Sequence, residues 1–299
     1  MVRRVFIFGA GYSGRAIARE LAPVADSIAG TTRNTATAPT LSGNGIIPLL
    51  YEGRGFSPEL RSMLRATTHL LTTIAPNESG DPVLADLVAA GRTAMPALQW
   101  IGYLSTVGVY GDHDCGWVDE ESECRPSSAR SRGRLEAESA WRAFGRGANV
   151  PVAILRLPGI YGPGRNAFVN LAAGRARRIV KPGQVFNRIH LDDIAGATAH
   201  LMRTGADGVF NVADDEPSPP QDVVAYAAAL MGIEPPPEIP FAEADLSPMG
   251  RSFYCECKRV SNAKLKASGY ALRHVNYRQA LTAMWSLKSW ESEHAANML

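Results

Sequence analysis

The chain has 299 residues, of which 45% are hydrophobic and 20% are charged. This composition is ordinary for a globular protein and excludes a disordered or fibrous chain, and the length suffices for one large α/β domain or two unequal ones. The 31 basic and 29 acidic residues give a net charge of +2, which argues against nucleic acid or an anionic membrane as the main partner. We therefore expect a small-molecule partner.

No targeting or membrane segment is evident. The first apolar run stops at the glycines of residues 9–14, and no stretch approaches the roughly 18 to 20 apolar residues of a membrane helix. The four cysteines show neither a CxxC spacing nor histidine pairs at zinc-site distances. We therefore expect a soluble cytoplasmic protein with reduced thiols and no metal site, in which Cys255 and Cys257 face the same way on a strand.

Short apolar runs alternate with helical segments from residue 2 to about residue 215, which is typical of βαβ units and predicts a parallel sheet covered on both faces. Seven strands are predicted, at residues 4–8, 27–31, 45–50, 69–73, 100–105, 152–156 and 209–212. The spacing of Ala137, Ala140, Trp141 and Phe144 predicts a helix whose apolar face packs on the sheet. After residue 215 the prolines increase and the alternation ends, which indicates a smaller second lobe.

The clearest local motif is GAGYSG at residues 9–14, between an apolar run and a helical segment. Gly9 permits a tight turn, Gly11 lets the backbone approach a pyrophosphate, and Gly14 lets the helix pack close to the strand. The N–H groups at the helix start would then hold the anion. The predicted phosphate-binding residues are Gly9, Gly11, Tyr12, Ser13 and Gly14. The motif predicts a dinucleotide-binding Rossmann fold.

The second predicted strand decides between NAD and NADP. An NAD-binding fold usually ends this strand with an Asp or Glu for the ribose 2′-hydroxyl, whereas this chain has GTTR at residues 30–33. The guanidinium of Arg33 can bind a 2′-phosphate, and the hydroxyl of Thr31 or Thr32 can donate to it. We therefore predict NADP rather than NAD. The alternative is that Arg33 is a solvated loop residue.

Four further segments resemble the extended short-chain dehydrogenases/reductases, a group that includes sugar-nucleotide epimerases and dehydratases. They are YLSTVGVYG at 103–111, LRLPGIYGPG at 155–164, RIHLDDI at 188–194 and GVFNV at 208–212. Their order matches that of the family, and together with the glycine turn they cover nearly the whole chain. The chain resembles in particular the atypical branch described as NAD-dependent epimerase/dehydratase-like.

The resemblance implies a Rossmann-like, doubly wound parallel sheet and a smaller, discontinuous C-terminal substrate lobe. The Rossmann domain would comprise residues 1–162 and 188–215, and the substrate lobe residues 163–187 and 216–299. The site would lie between the lobes, beyond the carboxyl ends of the strands. The resemblance also leads us to expect a homodimer.

The same resemblance assigns binding residues outside the glycine turn. Ala75 and Pro76 match the segment that passes over the cofactor, and Pro158 is expected at the same site. Arg188 resembles the family arginine that contacts a substrate phosphate. The alternative for Arg188 is an ion pair with one of the aspartates at 192 and 193.

Active members of the family use a Ser or Thr after the fifth strand, and a Tyr and a Lys four residues apart on the next helix. The lysine and the nicotinamide charge lower the pKa of that tyrosine, so that it can exchange a proton with the substrate. Thr106 matches the hydroxyl, but Arg130 replaces the tyrosine and Arg134 the lysine. Neither guanidinium can shuttle a proton. Arg134 could still hold the cofactor ribose, and both arginines could grip an anionic substrate or simply be solvated.

Another group must handle the proton if the chain is catalytic. Tyr110 is our first candidate because it follows Thr106 by four residues near the same strand end. Tyr161 and His190 are weaker candidates. The alternative is that both tyrosines cap turns by packing and hydrogen bonding, and that the histidine is structural.

Two functions of different classes are consistent with these features. The first is an NADP-dependent oxidoreductase or epimerase/dehydratase-like enzyme that acts on a hydroxyl or carbonyl of a small metabolite, such as a sugar or an anionic compound. The second is a catalytically silent NADP-binding scaffold or redox sensor, which the arginines at 130 and 134 would permit. The fold cannot decide between them, because one architecture hosts both.

Overall fold

The structure is a computed structural model that describes residues 2–291, with only the backbone described at residue 92. The strands are β1 (Arg4–Phe8), β2 (Ser27–Thr32), β3 (Ile47–Leu50), β4 (His69–Thr72), β5 (Trp100–Thr106), β6 (Trp117–Val118), β7 (Val152–Leu157), β8 (Gly159–Tyr161), β9 (Arg178–Val180), β10 (Arg188–His190), β11 (Gly208–Asn211), β12 (Glu238–Pro240) and β13 (Arg259–Val260). The α-helices are α1 (Tyr12–Leu21), α2 (Ala38–Gly43), α3 (Pro58–Ala66), α4 (Pro82–Ala90), α5 (Ala129–Ala148), α6 (Ala167–Ala172), α7 (Leu191–Thr204), α8 (Pro220–Met231), α9 (Pro248–Phe253), α10 (Ala263–Ala267) and α11 (Tyr277–Ser286). Short 3₁₀ turns lie at Thr35–Thr37, Arg92–Ala94 and Val107–Tyr110.

A seven-stranded sheet has the order β11-β7-β5-β4-β1-β2-β3. β1 pairs in parallel with both β2 and β4, so that Phe6 lies opposite Ala29 on one side and Leu70 on the other. The strand order reverses at β1, which makes its carboxyl end the topological switch point where open α/β sheets bind ligands. The predicted Rossmann-like α/β fold is confirmed, and all seven predicted strands are present, with ends that differ by one or two residues.

One hydrophobic core of the described residues packs α3, α4 and α5 against the sheet. Trp141 of α5 is fully buried, and its ring centroid lies 6.2 Å from that of Tyr103 on β5. Ala137 and Phe144 join this core, as the spacing predicted. Ala140 is exposed, so its predicted burial was wrong: the buried stripe of α5 runs along residues 134, 137, 138, 141 and 145 and includes two charged residues. Within the described residues, no helix is long and apolar enough to cross a membrane.

The described chain forms two compact units. Unit 1 comprises the residues up to Val109 together with Pro126–Arg156 and Ile194–Phe210. Unit 2 comprises Tyr110–Arg125, Leu157–Asp193 and the chain from Asn211 onward. The sheet and the glycine turn belong to unit 1, whereas unit 2 contains three short parallel pairs, β6 with β13, β8 with β10, and β9 with β12. The domain boundaries expected from the resemblance stay a prediction.

The cysteines of unit 2 differ from our expectation. Cys115 and Cys257 form a disulfide across 142 residues of sequence, so the prediction of reduced thiols was wrong for this pair. Cys255 and Cys257 do not share a strand face, because both precede β13; Cys255 is exposed and Cys257 is buried. Spacing along the sequence could not reveal the disulfide, since the fold alone brings its partners together.

A buried ion pair joins α5 to the sheet. The guanidinium of Arg156 on β7 lies 2.8 Å from the carboxylate of Glu138, and side-chain exposure is 5% and 3%. The hydroxyl of Ser105 on β5 donates to the same carboxylate at 2.5 Å. One glutamate therefore links the helix to two strands. Its signal in the sequence was a Glu on the apolar face of a helix and an Arg inside an apolar strand.

Glu138→Ala is expected to lower the free energy of unfolding by about 3–5 kcal/mol, because it removes the carboxylate bound to the buried Arg156 guanidinium. Denaturant unfolding followed by circular dichroism measures the change. Glu136→Ala removes an exposed carboxylate from the same helix and should change stability by less than about 0.5 kcal/mol. A loss below about 1 kcal/mol in Glu138→Ala, as in a surface pair, would contradict this role.

Candidate functional site

The glycine turn between β1 and α1 has the shape of a phosphate cradle. Gly9 has φ +86°, and a Cβ there would lie 2.5 Å from Thr73 Oγ1. A Cβ on Gly14 would lie 2.7 Å from the Gly9 carbonyl oxygen, so the helix could not pack as closely with any other residue. A Cβ on Gly11 would meet nothing within 4 Å. The packing of the chain therefore requires glycine at positions 9 and 14, whereas Gly11 leaves room for a ligand.

The start of α1 is suited to an anion. The helix has Gly11 as its N-cap, no described side chain caps it, and its first turn has no acidic residue. The N–H groups and the helix dipole at such an N-terminus attract phosphate. Hydrogen bonds to β2 fix the turn: the N–H of Gly9 donates to Thr31 Oγ1, and that of Ala10 to the Thr31 carbonyl, both at 2.9 Å. These residues fit a dinucleotide pyrophosphate.

At the end of β2 the three predicted candidates differ in their surroundings. The hydroxyl of Thr31 is buried and bound to Gly9, so it cannot serve a 2′-phosphate. The Thr32 hydroxyl lies 2.5 Å from Thr37 Oγ1 and accepts the N–H of Asn34. These contacts within the loop engage the Thr32 hydroxyl. Arg33 is exposed. Of the three, Arg33 therefore has the charge and the access that a 2′-phosphate requires.

The carboxyl end of β4 lies against the same turn. The hydroxyl of Thr73 donates to the Gly9 carbonyl at 2.7 Å. Ala75 is exposed, and the Pro76 ring lies 3.9 Å from where a Cβ on Gly133 would be. Unit 1 thus brings the predicted segment at residues 75 and 76 beside α5. Pro158 lies between β7 and β8 in unit 2, and its predicted contact with cofactor stays a prediction.

Thr106 is the last residue of β5 and is half-buried. Its hydroxyl accepts the N–H of Gly108 at 3.1 Å, which holds its position at the strand end. A Cβ on Gly108 would lie 3.4 Å from Thr106 Oγ1 and 3.0 Å from Ser131 Oγ. The hydroxyls of Thr106 and of Ser131 on α5 therefore both lie beside Gly108. Ser131, which directly follows Arg130, was not among the residues predicted from the sequence.

The two arginines of α5 have different surroundings. Arg130 is exposed. Arg134 is 9% exposed, and its Nη1 donates to Tyr103 Oη at 3.1 Å and to the Leu104 carbonyl at 2.7 Å. The alternative of a solvated Arg134 is therefore wrong. Burial raises the pKa of Tyr103 to about 12, although the positive charge of Arg134 acts in the opposite direction. Tyr103 thus stays protonated at neutral pH and cannot replace the missing acid/base.

The predicted proton donors all lie in unit 2. Tyr110 is fully buried, and its hydroxyl donates to Asn211 Oδ1 at 2.7 Å. The hydroxyl of Tyr161 is buried without a hydrogen-bond partner among the described residues, and burial raises its pKa. Burial lowers the pKa of His190 to about 4, and the neighbouring His274 acts in the same direction to a smaller extent. The imidazole of His190 is therefore neutral at physiological pH. These contacts suit a structural task for Tyr110, and its part in proton transfer stays a prediction.

His190 also belongs to the one group of described residues with ligand atoms close enough for a metal ion. Atoms of His190, Asp192 and His274 lie within 4.8 Å of one another. However, the Nδ1 of His190 accepts the backbone N–H of Asp192 at 3.2 Å. Its lone pair is thus already in use, and the geometry gives no reason to assign a metal.

Arg188 lies on β10 in unit 2. Its Nη1 donates to the Phe186 carbonyl at 2.9 Å and to Ser218 Oγ at 2.7 Å, and its Cζ lies 5.8 Å from the centre of the Tyr277 ring. The predicted alternative, an ion pair with Asp192 or Asp193, is not formed in the described structure. Asp193 instead accepts the backbone N–H groups of residues 273 and 274. The guanidinium is thus a fixed positive charge, as a site for an anionic group requires.

Asp214 is a titratable residue that sequence reasoning missed. Its N–H donates to the Arg188 carbonyl at 2.8 Å, and its Oδ1 accepts the N–H of Glu216 at 3.2 Å. Its Oδ2 is buried without a partner among the described residues. Burial raises the pKa of Asp214 to about 8, against the lowering effect of Arg188. The signal was an acid directly after the apolar run GVFNVA, which we assigned to the end of the sheet.

Comparison with known proteins agrees with the Rossmann-like fold. The sequence model of the NAD dependent epimerase/dehydratase family matches residues 84–213. Protein YeeZ of Escherichia coli K12 is 30% identical over 246 residues, which span 79% of this chain and 86% of YeeZ. The chain belongs to the NAD-dependent epimerase/dehydratase family. The predicted resemblance to the NAD-dependent epimerase/dehydratase family is thereby confirmed.

Solved structures agree with this assignment. A conserved protein of unknown function from Silicibacter pomeroyi is 46% identical, with a TM-score of 0.86 over 95% of this chain and 99% of that one. A dTDP-glucose 4,6-dehydratase from Bacillus anthracis, solved in complex with NAD, shares the fold at 17% identity, with a TM-score of 0.75 over 98% of both chains. The family membership supports a general NAD(P)-binding oxidoreductase or epimerase.

Asp214→Asn is expected to raise the melting temperature at pH 8 by roughly 3–8 °C and to leave it nearly unchanged at pH 4. The pKa of Asp214 is higher in the folded state, so the folded protein retains a proton that the unfolded chain releases. The stability of the wild type therefore falls as pH rises from about 4 to 8, and asparagine removes this loss.

Melting curves at several pH values measure the effect. Asp245→Asn changes an exposed carboxyl of the same unit and should show no such pH-dependent gain. A gain for Asp214→Asn that is equal at pH 4 and pH 8 would show that the carboxyl is not protonated in the folded state.

Proposed function

We propose that the protein is an NADP-dependent oxidoreductase or epimerase/dehydratase-like enzyme that acts on a hydroxyl or carbonyl group of a small metabolite. The observation that carries this proposal is the glycine turn, where the space beside Gly11 is open and no described side chain caps the start of α1. Membership of the NAD-dependent epimerase/dehydratase family supports it. When bound, the coenzyme supplies or accepts the hydride.

The choice of NADP rests on the end of β2. The Bacillus anthracis dehydratase was solved with NAD, so kinship alone leaves the nucleotide open. In this chain, Thr31, Thr32 and Arg33 occupy the positions where an acid would bind the ribose 2′-hydroxyl of NAD. Both threonine hydroxyls are engaged within unit 1, and Arg33 is the exposed cation. A guanidinium is suited to paired hydrogen bonds with a phosphate dianion.

The proposed roles follow from chemistry and surroundings. Thr106 would bind the reacting oxygen of the substrate, with Ser131 as a neighbouring hydroxyl. Arg188 would hold an anionic group of the substrate, since its side chain is fixed by Ser218. Arg134 would contribute positive charge, but a guanidinium does not exchange protons at neutral pH. Proton transfer therefore needs a group outside the pair at 130 and 134.

A second candidate function is a catalytically silent NADP-binding scaffold or redox sensor. One observation favours it: the guanidinium of Arg134 is engaged with Tyr103 and Leu104, and Arg130 is exposed. In this chain the side chain at 134, where the family has its lysine, thus anchors α5 on β5. Cofactor binding would then be retained without turnover.

Arg33→Asp is expected to weaken NADP binding by about 10- to 100-fold and to leave NAD binding within about threefold, because a charge-assisted contact to the 2′-phosphate is lost. Calorimetric titration of both nucleotides against wild type and variant measures this. Arg65→Asp, at an exposed arginine near the end of α3, is the control for altered net charge. Equal affinity of the wild type for NADP and NAD would contradict the proposed preference.

Turnover separates the two candidate functions. Wild-type protein mixed with NADPH and a panel of carbonyl compounds, including anionic ones, should oxidise NADPH steadily at 340 nm with at least one of them. On that substrate, Thr106→Val should lower kcat by about 10- to 100-fold and Thr106→Ser should retain most of it, since only the hydroxyl is needed. Tight NADPH binding without oxidation across the panel would favour the scaffold.

A further inference from the structure

The disulfide between Cys115 and Cys257 fastens one loop to one segment of unit 2. The loop is 111–116, which directly follows Tyr110, and the segment is 255–259, which leads into β13. Around the disulfide, the backbone N–H groups of His113 and Cys115 both donate to the Cys257 carbonyl at 3.0 Å. The disulfide thus lies at the centre of the contact between the two segments.

The loop is strained where the disulfide holds it. Asp114 has φ +48° and Cys115 has φ +61°, so two consecutive residues with side chains occupy the left-handed region. Such residues are uncommon outside glycine and persist only where their surroundings enforce them. Breaking the S–S bond would remove one of the constraints that enforce this turn. Once the sulfurs separate, hydrogen bonds alone would hold these two left-handed residues.

The surroundings can also accommodate the reduced form. The carbonyl oxygen of Gly183 lies 3.3 Å from the Sγ of Cys115 and 3.8 Å from that of Cys257, so it can accept a hydrogen bond from either thiol. The guanidinium of Arg259 donates to the Cys115 carbonyl, which places a positive charge beside that cysteine. A neighbouring cation stabilises a thiolate, the species that takes part in exchange.

The two sulfurs differ in access. Cys115 is half-buried, whereas Cys257 is 7% exposed. An incoming thiolate would therefore reach Cys115 first. In a reducing compartment, where the sequence led us to expect this chain, protein disulfides are as a rule transient and serve catalysis or redox sensing.

We propose that Cys115 and Cys257 form a thiol–disulfide exchange site for a dithiol reductant, and that reduction releases the loop at 111–116. One thiolate of the reductant attacks the Sγ of Cys115, the S–S bond breaks, and Cys257 leaves as a thiolate that takes up a proton. The second thiol of the reductant then loses its proton, displaces Cys115 as a thiolate that takes up a proton, and closes the reductant's own disulfide. Two electrons and two protons pass from the dithiol to the protein.

Release of the loop would affect the segment that holds Asn211. Asp112 Oδ1 accepts the N–H of Cys257 at 2.7 Å, and the Lys258 ammonium donates to the Gly111 carbonyl. At either end of the same segment, Tyr110 and Glu120 bind Asn211. Reduction would thus loosen the backbone just after the strand end that carries Thr106. This proposal is independent of the proposed function, because it concerns the thiols alone.

The test uses the full-length wild-type protein and dithiothreitol as the dithiol. Native protein is equilibrated with oxidised or reduced dithiothreitol, quenched in acid, denatured and alkylated, and the labelled cysteines are counted by mass spectrometry. We expect two labels, on Cys124 and Cys255, in the oxidised sample and four in the reduced one, with full return on reoxidation. Hydrogen exchange of peptides covering 110–118 should be at least about tenfold faster in the reduced protein, with 100–106 unchanged.

Cys115→Ser should show the fast exchange of 110–118 under both conditions, and Cys255→Ser, outside the disulfide, should behave as wild type. Four labels after equilibration with oxidised dithiothreitol would overturn the proposal, because no disulfide would then form. Resistance of the bond to reduction in the native protein would overturn it in favour of a permanent cross-link. Reduction without faster exchange in 110–118 would overturn the release of the loop.

Discussion

The fold of unit 1 depends on the backbone of a single residue, Gly9. Its N–H is bound by a hydroxyl from β2 and its carbonyl by the hydroxyl of Thr73, directly after β4, and the same carbonyl meets Gly14 of α1 at a distance that excludes a side chain. Both strands that flank β1 and the helix that follows it thus converge on one peptide unit. These hydrogen bonds are made by backbone groups and short hydroxyls, and the space beside Gly11 stays open in front of the amides at the start of α1. The shape of the phosphate cradle therefore follows from packing within the protein and does not require a bound ligand.

Helix α5 is held by a second constraint, the polar contacts of its buried side. Charged residues 134 and 138 lie one turn apart on its buried side, and both are bound to strands of the sheet. Buried charges are tolerated only when their hydrogen bonds are made, so these two fix the rotation of the helix about its axis. The helix is consequently held by polar contacts as well as by Trp141 and its apolar neighbours. Such a helix places Ser131 beside Gly108, just after β5, and Gly133 beside Pro76, after β4.

The sequence was sufficient for features that depend on local order. Hydrophobic periodicity predicts the seven strands and the apolar positions at 137, 141 and 144. The spacing of the glycines predicts the phosphate-binding turn. Features that depend on contacts between residues far apart in the sequence could not be predicted from it. The disulfide joins residues 142 positions apart, the burial of Asp214 depends on β10, and the exposure of Ala140 follows from two charges that displace the apolar stripe. The short strand pairs of unit 2 were missed for the same reason, since pieces of two or three residues have no periodicity to detect.

The position of Arg134 has a consequence for any redesign of this helix. Both of its hydrogen bonds, to a buried phenol and to a strand carbonyl, are donated by one nitrogen, Nη1. An apolar side chain at 134 would leave these two acceptors without that donor, at a cost of about 1–3 kcal/mol for each buried group. A substitution at 134 therefore changes the attachment of α5 to β5 as well as the local charge.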